Sequence, residues 1–551
     1  MAAFTYQTLV ADGAAADAAL SAYAKLFGEV QRALFAAIAA GDDPDELKPD
    51  FCRRYRITSR QFNAIASDIK GKIDGIKAHR KVLIEGKTRQ IKKAREVLKK
   101  LSKPPKHTRG QPPETTAERK ARVAKSHHKK RRLVDLEGEL AHLEADEKNG
   151  KVRIAFGSRQ LFRAQFDLEA NGYSDHDQWL KIWRAARSRQ CYVLGSKDET
   201  AGCQGCVATT NPDGTLDLRV RLPDAVIEDP AIEKEDGKYL ILKGIKFAYG
   251  HDNVLQALQS SRLIREGDHT RRDGVALSWR LLRDEKHGEP IWYVHVTVDV
   301  PAPAIVTRRE AGAVGADFNA AHVAVAELDR FRNVIDCERI DTCLSYKSAG
   351  QRKAILGDAV HKVVARALSA GKPVVVERLD FSAKKAALED VSPKRSRMLS
   401  VLAYSQYNQL LKAACFRAGV ELVEVHPAYT SVIGAINHAQ VRGVSSHQGA
   451  ACAIARRGLE KSPLEAETPR SSATQDGAWV PTRNGGHVTL RVPARIRGRH
   501  VWSQWAGAKR RLCAALKGSH RCGEAGNPRP PPLSQLRSGA ALASCATGAS
   551  G

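Results

Sequence analysis

Between Gly312 and Leu459 two kinds of apolar pattern follow one another in a fixed order. Short runs suited to strands cover Val314–Phe318, Val323–Leu328 and Val334–Ile340. A run with helical spacing covers Gly350–Ala370. A strand-like Val374–Leu379, a helical Met398–Ala418, a strand-like Glu421–Val425, a loop and a helical His447–Arg457 complete the series. Side chains repeat every two residues on a strand and every 3.6 on a helix, so one pattern cannot stand in for the other. Few folds accept this order.

Three strands in a meander, then helix–strand–helix–strand–helix, is the RNase H order. In it the first and fourth strands lie side by side. Asp317 ends the first strand and Glu377 ends the apolar run Val374–Val376, so both are expected to project into one pocket. Buried parallel strands deliver their terminal residues to such a place. His447 opens the last helix and closes the pocket, where an aspartate might be expected. Hydrolysing a phosphodiester needs an activated water and a neutralised leaving oxygen, which two Mg²⁺ ions about 4 Å apart can provide. Mg²⁺ prefers hard oxygen ligands. Asp317, Glu377 and His447 are therefore the candidate catalytic and metal-holding residues, with Mg²⁺ or Mn²⁺ as cofactor. The helix N-terminus at His447 disfavours a protonated imidazole.

The charge balance agrees with a nucleic-acid substrate. The 551 residues carry a formal net charge of +28, and 42% of them are hydrophobic, enough for a substantial core. Such an excess of positive charge points to a polyanionic partner. No apolar run approaches the roughly 18 residues of a spanning helix, so no membrane partner is expected. The N-terminal residues lack the pattern of a secretory signal. A cytoplasmic, nucleoid-associated protein is expected, with its 11 cysteines as reduced thiols. Cys203 and Cys206 form a lone Cys-x-x-Cys near Cys191, a poor zinc set, so zinc is not expected.

The first half divides differently. Phe4–Val10 reads as a strand that pairs into a later sheet. A helical lobe follows over residues 13–150, with apolar stripes Leu20, Tyr23, Phe27, Val30, Leu34, Ile38 and then Phe62, Ile65, Ile69, Ile73, Ile76. Thr58 or Ser59 is placed to cap the second stripe's helix. Helical spacing runs to Leu101, stops at Pro104-Pro105, and resumes after Pro113 with Leu133, Leu136, Leu140 and Leu143. Two long helices with a proline-rich tip make an antiparallel hairpin. From Lys87 to Arg132 there are 18 Lys or Arg against three acids, Glu96, Glu114 and Glu118. Clustered cations gain from counterion release on phosphate. Lys92, Lys93, Arg95, Lys99, Lys100, Lys129, Lys130, Arg131 and Arg132 are the contact candidates there. Lys384, Lys385, Arg395 and Arg397 are candidates after the Glu377 strand.

Residues 151–310 change to a period of two, as in Leu216, Leu218, Val220, Leu222 after an Asn-Pro-Asp-Gly turn. A β-rich, barrel-like domain is expected there, with a hairpin of Val275–Arg283 and Trp292–Val300. Trp179 with Trp183, and Tyr404 with Tyr407, read as buried helical stripes. Residues 311–460 form the nuclease-like domain, and the Gly-, Ser-, Pro- and Arg-rich residues 461–551 read as a mostly disordered basic tail. The fold class is α+β and multidomain.

Five motifs carry a resemblance. They are Trp-Tyr-Val-His-Val-Thr-Val at 292–298, Gly-Ala-Asp-Phe-Asn at 315–319, Val-Val-Val-Glu-Arg-Leu-Asp-Phe at 374–381, Val-His-Pro-Ala-Tyr-Thr-Ser at 425–431, and His-Gln-Gly-Ala-Ala-Cys-Ala-Ile at 447–454. In this order they resemble the transposon-encoded TnpB and TnpB-related proteins and the small type V CRISPR effectors descended from them. The resemblance implies an RNA-guided, Mg²⁺-dependent DNA nuclease with a RuvC-like site, whose N-terminal lobe holds guide RNA and double-stranded target DNA. Asp317 then stands as the first acid and Glu377 as the second. Two departures follow: His447 replaces the family's third acid, and residues 432–444 lack the family's zinc-ribbon cysteines. The expected function is RNA-guided DNA binding with endonuclease activity. Its rivals are an RNA-guided binder that represses without cutting, a transposase that needs no guide, and a structural RNA-binding protein.

Overall fold

The structure, a computed structural model, describes residues 2–11, 13, 15–103, 114–230, 232, 237–266, 269–286, 288–319, 321–344, 346–378, 401–439, 441–460, 467–468, 478–481, 487–490 and 500–523. The chain divides into two units, one of residues 1–302 with 381–393, the other of residues 303–380 with 394–551. No described helix is long and apolar enough to cross a membrane.

The first unit begins with β1 (Ala2–Leu9) and six helices: α1 (Asp17–Ala40), α2 (Pro44–Tyr55), α3 (Ser59–Leu101), α4 (Thr116–Lys148), α5 (Arg159–Ala164) and α6 (His176–Arg187). Then come β2 (Gln190–Val193), β3 (Cys206–Thr210), β4 (Leu216–Arg221), α7 (Asp224–Ile227), β5 (Tyr239–Ile245), α8 (His251–Ser260), β6 (Arg262–Glu266), β7 (His269–Asp273), β8 (Leu277–Lys286) and β9 (Glu289–Val300). Along β9, Trp292, Val294, Val296 and Val298 are buried and their neighbours are not, the period-two pattern of a sheet with one covered face. β1 pairs antiparallel with β9, from Ala2 opposite Val300 to Leu9 opposite Tyr293.

The expected barrel does not form. The described strands make open sheets in the orders β1-β9-β8-β2, β3-β4-β5 and β6-β7. A barrel closes to leave no unpaired strand edge, and its inward apolar face is buried in its own interior. Here Leu20, Tyr23, Phe27, Val30 and Leu34 of α1, with Phe62, Ile65 and Ile69 of α3, share one core with Trp279, Trp292 and Val294 of the sheet. Helices cover the face that closure would have buried. Trp179 and Trp183 stack at 5.9 Å in a separate small cluster with Ala164.

Helices α3 and α4 form the hairpin. Each starts on a capping box, Thr58 with Gln61 and Thr115 with Glu118, in which side chain and backbone satisfy each other's donors. The outer part of the pair clusters just Ile91, Ala94 and Leu136 between the two helices, with Val97 and Gln90 also buried on α3. Ion pairs supplement that thin seam: Lys87 with Glu139, and Arg95 with Glu137 at 2.5 Å. At the base, the buried Arg80 guanidinium donates to the carbonyls of Asp146, at 2.7 Å, and Lys151.

The second unit contains β10 (Ala313–Phe318), β11 (His322–Leu328), β12 (Val334–Asp341), α9 (Ala349–Ala370), β13 (Val374–Glu377), α10 (Val401–Ala418), β14 (Leu422–Val425), α11 (Thr430–Ile433), a π-helical turn (Gly434–Ala439), α12 (Ser446–Gly458), β15 (Ala478–Pro481), β16 (His487–Leu490) and α13 (Val501–Gly523). The main sheet has the order β12-β11-β10-β13-β14. β10, β11 and β12 are antiparallel, whereas β10, β13 and β14 are parallel. Its two faces are read directly from alternate residues. Val314, Ala316, Phe318, Val374 and Val376 pack with α9 and α10, and Tyr407 of α10 is fully buried there. Ala313, Val375 and Val425 pack with Ala451, Ile454 and Ala455 of α12.

Gly315 sets how closely α12 lies on the sheet. A Cβ there would stand 2.2 Å from the Ala451 carbonyl oxygen. A second close approach locks α12 to the segment before it: a Cβ on Gly434 would stand 2.2 Å from the Ala450 nitrogen. Residues 426–446, expected as a loop, contain α11 and the π turn. Within the tail expected after residue 460, the described residues include β15 paired with β16, and Trp505, Ala508 and Leu512 of α13 join Val480, Leu490, Val432 and Ile436 in one core. That apolar stripe was hidden by the Arg- and Gly-rich residues around it.

Candidate functional site

The parallel register brings the two acids together. Ala316 pairs with Val376, so Asp317 and Glu377 are the next residues along neighbouring strands, which lie about 4.8 Å apart. Asp317 follows Gly315 by two and Glu377 follows Val375 by two. Both therefore face α12, the side on which Gly315 lets the helix sit close. The Asp317 side chain is 14% exposed. Its Oδ2 accepts from Asn319 Nδ2 at 3.0 Å. Glu377 accepts a hydrogen bond from the Thr430 hydroxyl.

His447 completes the cluster. Ser445 caps α12 through a capping box with Gln448, which places His447 in the first turn. Its Nδ1 lies 3.3 Å from Asp317 Oδ2, a hydrogen bond when Nδ1 carries the proton, while the ring remains 40% exposed. The buried His322 ring packs against it at a centroid distance of 5.0 Å. Burial, then His447 and Arg339, push the His322 pKa down. On the opposite face, burial raises the Tyr404 phenol, and the charges of Asp317 and Glu377 raise it further. One phenol thus feels both carboxylates.

The donor chemistry fits a hard divalent cation in part. Two carboxylates at adjacent strand ends supply oxygen ligands of the kind Mg²⁺ and Mn²⁺ take. The third member offers an imidazole whose Nδ1 is already directed at Asp317. Among the described residues no group of three or more His, Cys, Asp or Glu is gathered tightly enough to hold an ion without help. Water and substrate phosphate are usual further ligands for Mg²⁺.

Sequence reasoning missed three supporting residues. Thr430, 1% exposed, holds Glu377, and the preceding Tyr429 takes a left-handed backbone, φ 64°. Arg457 Nη1 donates to the carbonyls of Ala428, at 2.9 Å, and His426, fastening the loop that carries Thr430. Asn319 orients Asp317. The signal was present: Asn319 and Thr430 both belong to motifs quoted above, but their roles depend on contacts distant in sequence. Nearby, burial by itself would push the Glu467 carboxyl up, yet the His438 hydrogen bond and the charges of His438, Arg456 and Arg457 hold it below its ordinary value.

The basic candidates are placed unevenly. Lys92, Lys93, Arg95, Lys99 and Lys100 lie on α3, and Lys129, Lys130, Arg131 and Arg132 on α4. Lys92, Lys99, Lys100, Lys130 and Arg131 are exposed. Arg95 also pairs with Glu137, and Lys93 approaches Glu96 at 3.5 Å. Lys384, Lys385, Arg395 and Arg397 lie outside the described residues. Cys191, Cys203 and Cys206 are buried thiols, and burial pushes Cys191 up to about 12 and Cys203 up to about 11.

No protein-family model matches the sequence, and no curated protein matches it. Among solved structures the chain is similar to a Cas12f1–sgRNA–target DNA complex, with 11% identity over 35% of this chain and a TM-score of 0.20. The match spans 64% of that protein's length, slightly under two thirds. It is also similar to a CRISPR–Cas12f ternary complex, with 10% identity over 75% of this chain and 88% of the other, and a TM-score of 0.19. Likeness at this level transfers no residue role to this chain.

Proposed function

We propose that this chain is an RNA-guided DNA-binding protein whose second unit is an RNase H-like, metal-dependent DNA endonuclease. One observation carries the reading: Asp317 and Glu377 end adjacent parallel strands on one face, and α12 brings His447 to 3.3 Å from Asp317. The strand order β12-β11-β10-β13-β14 is the order expected of such a domain. The five ordered motifs support the RNA-guided branch of that fold.

Asp317 and Glu377 would hold Mg²⁺ or Mn²⁺, which supplies Lewis-acid charge at a phosphodiester. Asn319 and Thr430 fix the two carboxylates so that neither must reorganise when substrate arrives. His447 directs Nδ1 to Asp317, which leaves Nε2 to take a proton from the attacking water as a neutral imidazole. The exposed lysines of α3 and α4 hold guide RNA and double-stranded target DNA through their phosphates, and base pairing supplies sequence choice.

The test is cleavage of a duplex complementary to the RNA that co-purifies with the protein. A defined RNA with a variable end, and cutting that needs Mg²⁺ or Mn²⁺ and drops at least about a hundredfold in Asp317→Asn and Glu377→Gln, is the expected result. Random or absent RNA would sink guidance, and no nicking in either ion would sink the enzyme. Binding without cutting is the second reading, favoured by His447 at the third position. His447→Asp should then create or raise cleavage, whereas an unchanged rate in His447→Ala removes the histidine from the site.

A further inference from the structure

Trp502, in the first turn of α13, is 41% exposed, although large apolar side chains on this unit's core elements are mostly covered. It does not hang free. The His426 ring lies 5.0 Å away at an interplanar angle of 32°, Tyr429 at 6.5 Å and His500 at 6.0 Å. The Trp502 backbone N–H is capped by His500 Nδ1 at 3.2 Å, which fixes the start of the helix. Two turns on, Lys509 shares this helix face and sets Nζ 5.9 Å from the Tyr429 ring centroid. Arg510 follows, exposed, and no acidic residue occurs between Val501 and Gly523. An open aromatic face with cations at its rim suits a stacked base with its flanking phosphates. An acidic rim would be expected for a basic peptide, and a wider apolar patch for a protein partner.

The platform is joined to the acid cluster by one short loop. His426 and Tyr429 stand in the same five residues as Thr430, whose hydroxyl holds Glu377. Arg457 fastens that loop at Ala428, 2.9 Å away. A base resting on Trp502 would therefore be held at a fixed offset from Glu377.

We propose that Trp502, with His426, Tyr429 and Lys509, is a stacking platform for an unpaired base of single-stranded DNA entering the Asp317–Glu377 site. This rests on the nuclease reading above for the identity of the strand. It adds where that strand is gripped.

The experiment uses the full chain in EDTA, so that cleavage plays no part, and about 0.3 M salt, which weakens purely ionic contacts. Single-stranded DNA carrying 5-iodouracil is irradiated on the protein and the crosslinked peptides are identified by mass spectrometry. Crosslinks are expected at Trp502 or Tyr429. Trp502→Leu should weaken single-strand affinity about 5- to 100-fold, the range for one stacked base. Trp502→Phe, which can still stack, should retain most of it and also guards against misfolding as the cause. Crosslinks confined to other regions, or equal losses in the Leu and Phe variants, overturn the platform. Preferential crosslinking of single-stranded RNA of the same sequence overturns its assignment to DNA. Crosslinking at Trp502 in a protein that never cuts would leave the platform standing and remove the nuclease. Metal-dependent cutting without crosslinking there would do the reverse.

Discussion

The β10–β13 seam and the α3–α4 hairpin are built on opposite terms. In the seam, Val314, Val374 and Val375 are completely buried, and Gly315 touches backbone across the helix interface. In the hairpin, two helices of 43 and 33 residues bury few side chains in their outer part and rely on caps and ion pairs. Dense packing fixes the positions of a few groups, which is what an acid pair needs. A thin seam with many exposed cations fixes a field, which is what a phosphate backbone needs. One region depends on placement, the other on total charge.

Substitutions should separate these two regimes. The largest effect is expected in the seam: Asp317→Asn or Glu377→Gln should lower cleavage about a hundredfold to a thousandfold, the cost of removing one preorganised electrostatic group. Binding measured by gel shift should be unchanged. Gly315→Ala comes next. It should cost about 3 kcal/mol, near the top of the range for overpacking, and hydrogen exchange should show lost protection in β10 and α12 together. In the hairpin, no single change should matter as much. Replacing Lys92, Lys99, Lys100 and Lys130 together by Ala should reduce the slope of log affinity against log salt by about 3 to 4, roughly 0.9 per phosphate contact. A slope that does not move would remove the hairpin from the interface.

A smaller effect is expected at Glu467, which links His438 of the π turn to Arg456 of α12. Its folded pKa is depressed, so its contribution to stability is present above its unfolded value and is lost as pH falls through the carboxylate range. Glu467→Gln should cost on the order of 1–2 kcal/mol at neutral pH. The gap in melting temperature to the natural chain should close below about pH 4, since an unperturbed glutamate titrates near 4.3. The smallest effect reverses sign. Gly86 lies inside α3, and a Cβ there meets nothing within 4 Å. Gly86→Ala should stabilise the hairpin by roughly 0.5–1 kcal/mol, the same substitution that breaks the seam.

The seam was legible because its strands are nearly continuous apolar runs, which few other structures tolerate. The order of elements placed Asp317 beside Glu377 and His447 at the opening of the last helix. The hairpin was legible from two prolines at each side of its tip. Strand pairing in the first unit was not. Alternation such as Leu216, Leu218, Val220 identifies a strand with a covered face but not what covers it, and here helices α1 and α3 took the place of a barrel wall. Residues 429–439 carry a mid-segment glycine and no clear period, so α11 and the π turn left no pattern. Thr430, Arg457 and Asn319 act through contacts that exist only once the chain has folded.

The contact between Gly434 and the backbone at Ala450 also bears on how this chain can change over generations. A side chain at residue 434 collides with helix α12, and at residue 449 it would meet Gly434 itself. Neither position can drift alone without separating the segment that begins at Thr430 from the helix that begins at Ser446. The two glycines are sterically coupled, and on them rests the spacing between the residue that steadies the second acid and the residue that meets the first.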